Sequence, residues 1–149
     1  MAHDKGAVKI VDILVVEDNL ADANMLRELF EEGKIANNLY VVTDGESAID
    51  FLRKKGEFST SPRPDLILLD IGLPKKGGIE VLADIKADPE LRRIPVIMLT
   101  TSSAEDDILK SYDLHANSYI NKPVGLSQFF EVVQSIEDFW FGSVKLPPR

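Results

Sequence analysis

Cysteine is absent from this chain of 149 residues, and histidine occurs only twice, as His3 and His115. Nothing in it can be oxidised to a disulfide, so stability has to come from packing alone. No apolar run approaches the roughly 20 residues a membrane-spanning helix needs. The opening Met1-Ala2-His3-Asp4-Lys5-Gly6 lacks the basic start and apolar stretch of a secretory signal. A soluble, cytoplasmic protein with no membrane partner is expected. Positive charge is also scarce: 17 Lys and Arg face 25 Asp and Glu, a net charge of −8. Phosphate contacts require clustered basic residues, so nucleic acid is excluded as an expected partner. The basic clusters present, Arg53-Lys54-Lys55 and Lys75-Lys76, are read as solvated faces.

The hydrophobic fraction of 44% and charged fraction of 28% are those of an ordinary globular protein. The length suits one domain over 1–149, with its core at about 10–140, an N-terminal extension at 1–9 and a tail at 141–149. Strand-like and helix-like patterns alternate about five times, which predicts an α/β fold with a parallel sheet covered by helices on both faces. Strands are expected near 11–16, 39–43, 65–69, 95–99 and 117–121. They are mostly too continuously apolar to keep one face wet, and interior strands are expected.

Helical spacing places Ala23, Leu26, Leu29 and Phe30 on one face of a helix at 20–32, and Ala48, Ile49 and Leu52 on one at 45–55. A third helix, 78–87, presents Val81, Leu82 and Ile85 and must stop before Pro89. A fourth is expected to start near Ser103. A fifth, from Ser127 to Trp140, carries Phe129, Val132, Val133, Ile136 and Trp140. The stretch from Gly56 to Pro64 reads as an exposed loop.

The strand ends carry the chemistry. Ile13-Leu14-Val15-Val16 runs into Glu17-Asp18, and Leu66-Ile67-Leu68-Leu69 into Asp70. Val96-Ile97-Met98-Leu99 runs into Thr100, and Ser118-Tyr119-Ile120-Asn121 into Lys122-Pro123. Parallel neighbours bring their carboxyl ends to one edge, where open α/β folds place ligands. Three acids converging there repel one another unless a cation neutralises them, and carboxylates plus a phosphoryl group are the usual surroundings of Mg²⁺.

Acid pair, single Asp, hydroxyl and Lys-Pro at successive strand ends resemble the receiver domains of two-component response regulators, over nearly the whole chain. The insertion before Asp65 and the aromatic-rich end, Phe139-Trp140-Phe141, are similar to single-domain response regulators that serve phytochrome-type kinases. The resemblance implies a flavodoxin-like, doubly wound sheet of five strands in the order 2-1-3-4-5. It implies a phosphoacceptor signalling protein rather than an enzyme turning over a free substrate. Asp70 would be the phosphoacceptor, its carboxylate attacking phosphorus. Glu17, Asp18, Asp70 and the main-chain carbonyl of Gly72 would hold Mg²⁺. Lys122, aimed inward by a cis bond to Pro123, would stabilise the phosphoryl charge. Thr100 and Tyr119 would form the switch.

The implied partners are a sensor histidine kinase, of bacteriophytochrome type on the narrower likeness, and a downstream protein target or phosphotransfer protein. Gly72 and Ser102 stand where receivers often carry larger polar side chains that position or exclude attacking water. His115 reads as a loop residue. Two rivals remain in view. An aspartyl-phosphate hydrolase of related fold typically places a second Asp two residues after the nucleophile, where this chain has Gly72. A flavin or nucleotide carrier needs a Gly-rich loop where this chain has Glu17-Asp18-Asn19-Leu20. A phosphorylation-independent interaction module is a further alternative. A homodimer through the fourth helix, fifth strand and fifth helix is expected, because Phe130 and Phe141 lie about 100° around the helix from Phe129 and Trp140 and cannot share their face.

Overall fold

The apolar runs become five strands, β1 (Val11–Val16), β2 (Asn37–Val42), β3 (Leu66–Asp70), β4 (Val96–Thr100) and β5 (Ser118–Asn121), in a computed structural model of the chain. The structure describes residues 10–32, 36–100, 114, 116, 118–122, 125, 127–129 and 131. Three helices intervene: α1 (Leu20–Glu32), α2 (Gly45–Leu52) and α3 (Gly78–Ala87). Residues 127–129 and 131 are helical as well. The helix expected from Ser103 and the part of the fifth helix beyond 131 lie outside the described residues.

The strands pair in the order β2-β1-β3-β4-β5, all parallel. β1, β3 and β4 are interior strands, and their burial on both faces explains their unbroken apolar character. The expectation that every strand is interior fails at the edges. β2 and β5 each have one neighbour, and β2 is mostly half-buried, with Asn38 exposed. Its apolar run Leu39-Tyr40-Val41-Val42 reflects packing of the strand faces, which says nothing about a missing neighbour.

Side chains alternate across the sheet and split the interior into two layers. Ile13, Val15, Leu68, Ile97, Leu99 and Ile120 face α1 and Phe129 on one side. Leu14, Val16, Ile67, Leu69, Val96 and Met98 face α2 and α3 on the other. The buried residues of α1 are Ala23, Leu26, Leu29 and Phe30, the stripe its spacing predicts. Phe30 meets Phe129 edge to face, with ring centroids 5.0 Å apart, and so ties the segment at 127–131 to α1.

α2 starts at Asp44, whose carboxylate accepts from the Ser47 amide at 2.7 Å and holds that cap ionised below the usual Asp range. It stops at Leu52, three residues before its expected end, because Lys54 and then Gly56 take positive φ, 56° and 57°. The exposed loop expected next contains a 3-10 turn at Gly56–Phe58, and the Ser61 hydroxyl donates to Phe51 O at 2.7 Å. α3 ends at Ala87, since Pro89 forbids a helical Asp88.

The start of α3 presses against the end of β3. A Cβ on Gly78 would collide with the carbonyl oxygen of Asp70 and come within 2.8 Å of Ile71 Cα. A Cβ on Gly72 would meet nothing nearer than Asp70 Oδ2, at 3.8 Å. Gly78→Ala is therefore expected to lower unfolding free energy by about 2 kcal/mol through a forced backbone shift, whereas Gly72→Ala should change it by less than about 0.5 kcal/mol. Urea denaturation of the two variants measures the contrast, and equal effects would contradict the steric account.

Candidate functional site

Parallel register assembles the strand ends. Val16 pairs with Leu69, Asp70 with Leu99, and Thr100 with Asn121. Glu17 directly follows β1, Asp70 and Thr100 close β3 and β4, and Lys122 directly follows β5, so four functional groups from four strands meet at one edge. Two main-chain bonds extend the pairing past the strands: Glu17 N donates to Val42 O at 3.0 Å and Lys122 N to Thr100 O at 2.8 Å.

The polar groups gathered here are unusually enclosed. Glu17 is 0% exposed, Asp70 6% and Thr100 3%, whereas charged residues are almost never this buried without partners. Lys122 is the partner. Its Nζ donates to Glu17 Oε1 at 2.5 Å and to Asp22 Oδ2 at 3.0 Å, and lies 3.2 Å from Asp70 Oδ1. An ammonium has three hydrogens, and three carboxylates take them.

Burial and charge pull the titrations in opposite directions. Burial pushes the Glu17 carboxyl above the ordinary Glu value; the Lys122 hydrogen bond and the Asn19 amide offset part of that, and the Asp70 charge adds to it. Burial likewise raises Asp70, against the pull of Lys122 and with the repulsion of Asp18 and Asp22. For Lys122, burial opposes the charge, but hydrogen bonds to Glu17 and Asp22 and the nearby Asp70 outweigh it, so the ammonium holds its proton more tightly than a free lysine. One ammonium among these acids leaves negative charge uncompensated.

That excess is what a divalent cation would neutralise. Glu17, Asp18 and Asp70 each offer a carboxylate oxygen, and the three oxygens lie within 4.8 Å of one another. The donors are hard oxygens, two of them buried and that of Asp18 exposed, which suits Mg²⁺ or a similar ion that keeps part of its water shell. Gly72, with no side chain of its own, sits against the Asp70 carboxylate.

Tyr119 pairs with Met98 across β4 and β5 and is half-buried against the layer formed with α2 and α3. Of the expected site, Glu17, Asp18, Asp70, Thr100 and Lys122 converge, and Tyr119 lies two positions before the carboxyl end of its strand. The bond to Pro123, Ser102, the Ser103 cap and His115 lie outside the described residues.

Two residues escaped the sequence reading. Asn19 caps α1: its side-chain Oδ1 accepts from the Asp22 amide at 3.1 Å, while its own amide donates to Glu17 Oε2 at 3.1 Å. Asp22 is the third acid on Lys122. Its place in the first turn of a helix, four residues after Asp18, was the available signal, and it looked like ordinary N-terminal helix charge.

The response regulator receiver domain family matches residues 13–134. The chain is 50% identical over 135 residues to response regulator Rcp1 of Synechocystis, covering 91% of this chain and 92% of that protein. Among solved structures it is similar to the phosphorylated cyanobacterial phytochrome response regulator RcpA, with TM-score 0.76, 50% identity, and coverage of 93% of this chain and 99% of that one. It is also similar to the Mn(2+)-bound form of Rcp1, with TM-score 0.75, 49% identity and the same coverage.

The uncompensated charge has a consequence for stability. Because folding raises the Asp70 pKa, the ionised group destabilises the fold above that value and the effect is relieved as pH falls through it toward the unfolded value. Asp70→Asn is expected to raise cation-free stability at pH 7.5 by on the order of 1 kcal/mol, with the gain shrinking toward pH 5. Urea denaturation in a chelator at both pH values tests this; a gain independent of pH would contradict it.

Proposed function

Since the chain belongs to the response regulator receiver domain family, we propose that it works as a switch in which Asp70 accepts a phosphoryl group from a sensor histidine kinase. The observation that carries this reading is the buried Asp70 carboxylate at a strand end, 3.2 Å from the Lys122 ammonium and within the carboxylate cluster. A carboxylate oxygen of Asp70 attacks the phosphorus of a phosphohistidine. A P–O bond forms as the P–N bond breaks, and the imidazole nitrogen leaves with the electron pair and takes up a proton. Lys122 offsets the negative charge of the transferring group, and burial keeps that attraction strong.

Glu17, Asp18, Asp70 and the Gly72 carbonyl are the residues we assign to Mg²⁺; a divalent ion in the related Rcp1 structure and the oxygen donor set support the assignment. When bound, the cation supplies charge neutralisation for an anionic donor. The chain turns over no free substrate, and its own site performs both acceptance and loss of the phosphoryl group. Thr100 would meet the phosphoryl group with its hydroxyl, and Tyr119 would answer by rotating inward, biasing a pre-existing state.

The kinase we favour is of phytochrome type, supported by the likeness to RcpA. The output is contact with a downstream protein or phosphotransfer protein, and neither nucleic acid nor membrane is a partner. No helix among the described residues is long and apolar enough to cross a membrane, and we place the protein in the cytoplasm. One domain over 1–149 carries the function. The fourth helix expected from Ser103, β5 and the expected fifth helix would form a homodimer; Phe130 and Phe141, on which that expectation rests, lie outside the described residues.

Incubation with Mg²⁺ and a small phosphodonor should add one base-labile phosphoryl mass to the intact protein and none to Asp70→Asn. An equal gain by the variant would exclude Asp70 as acceptor. Thr100→Ala should accept phosphate yet leave the amide exchange of β5 unchanged on phosphorylation.

For the dimer, sedimentation at tens of micromolar should show a two-chain species with a phosphoryl mimic that Phe130→Ser with Phe141→Ser abolishes. Identical monomers throughout would remove the interface.

A further inference from the structure

Asp22 is left over once the acceptor chemistry is described, although it holds one of the three hydrogens of the central ammonium. Two of the Lys122 partners, Glu17 and Asp70, belong to the carboxylate cluster; Asp22 does not. It reaches Lys122 from α1, at 3.0 Å, and its side chain is 27% exposed. A surface ion pair ordinarily contributes little, but here the lysine side chain is only 9% exposed and has little solvent to turn to.

The orientation of Asp22 is itself determined. Its amide donates to Asn19 Oδ1, the Asn19 amide donates to Glu17 Oε2, and Glu17 Oε1 accepts from Lys122. With the Asp22 to Lys122 contact these bonds close a ring of four residues, joining the end of β1, the first turn of α1 and the end of β5. The ring holds the ammonium through two carboxylates, Glu17 and Asp22, that are distinct from its contact with Asp70.

We propose that Asp22 is a positioning residue for phosphoryl acceptance: it holds the Lys122 ammonium from α1, so that the charge stays beside Asp70 when the Asp70 oxygen becomes bound to phosphorus. On acceptance the Asp70 carboxylate becomes an acyl phosphate and its negative charge moves outward onto the phosphoryl oxygens. The attraction that kept Nζ at Asp70 Oδ1 is thereby weakened at its present position. Asp22 undergoes no such change. Among the described residues it is the one carboxylate paired with the ammonium outside both the acceptor and the carboxylate cluster, and it anchors the lysine through the change. A misplacement of about 1 Å in a positioning group is enough to slow chemistry by one to two orders of magnitude.

The inference rests on Asp70 as acceptor, and the test separates the two. The full chain is incubated with Mg²⁺ and acetyl phosphate, in which a P–O bond to Asp70 forms, the P–O bond to the acetyl group breaks, and acetate leaves with the electron pair. Intact mass follows acceptance at several donor concentrations. Asp22→Ala is expected to lower the saturated rate about tenfold, with the half-saturating donor concentration changed by less than about twofold. Asp22→Asn, which keeps an acceptor oxygen, should recover most of the rate.

In a Lys122→Ala background, Asp22→Ala should cost nothing further, because a residue acting through lysine has nothing left to position. A second readout needs no donor: the nitrogen-15 NMR signal of the Lys122 ammonium in the cation-free protein should broaden in Asp22→Ala and persist in Asp22→Asn. A saturated rate unchanged in Asp22→Ala, or a tenfold loss retained without Lys122, overturns the proposal. Should wild type accept no phosphoryl group, Asp70 is not the acceptor; an ammonium signal unaltered in Asp22→Ala then overturns the role of Asp22 as well.

Discussion

Parallel pairing is the constraint from which the rest follows. Each strand runs in the same direction, so whatever residue follows an apolar run arrives at the same edge as its counterparts. Glu17, Asp70, Thr100 and Lys122 are separated by as many as 105 positions in sequence, yet need no special loop to meet. The two apolar layers hold the strands in register, and a slip by one residue would turn every core side chain to the wrong layer and carry the site groups out of alignment.

Within that frame the site is held together by a cation of the protein's own. Buried ion pairs are a poor source of stability, because removing charges from water costs about as much as their attraction returns. Three carboxylates on one ammonium go further, with negative charge in excess and with Glu17 and Asp70 both raised by burial. The arrangement is a site under electrostatic tension, poised to take up positive charge, and the packing of β1, β3 and β4 supplies the rigidity that maintains it.

Most of this was legible because a hydrophobic run and the polar residue that ends it are both local signals. The stripes of α1 and α3, the strand ends and the polar residues that close or directly follow them could be read directly. What could not be read depended on geometry between distant segments. The edge position of β2 follows from strand order, which Leu39-Tyr40-Val41-Val42 does not encode. The early end of α2 came from left-handed backbone at Lys54, a residue with no marked preference for it. Lys75 and Lys76, read as solvated charges, lie within ion-pair reach of Asp44 and Asp84. Asp22 resembled any acid in a first helical turn until Lys122 arrived from the other end of the chain.

The contact between Gly45 and Lys76 bears on how the molecule can respond at all. A Cβ on Gly45 would overlap the Lys76 carbonyl oxygen, and Lys75 reaches the Asp44 cap beside it at 3.7 Å. With Gly78 already flush against Asp70 O, the segment after β3 is braced on two sides like masonry in a corner. A shift of the main chain at that segment finds no slack there. The backbone there is the fixed jaw of a vice, closed so far that a single methyl at Gly45 or Gly78 would have to pry it open.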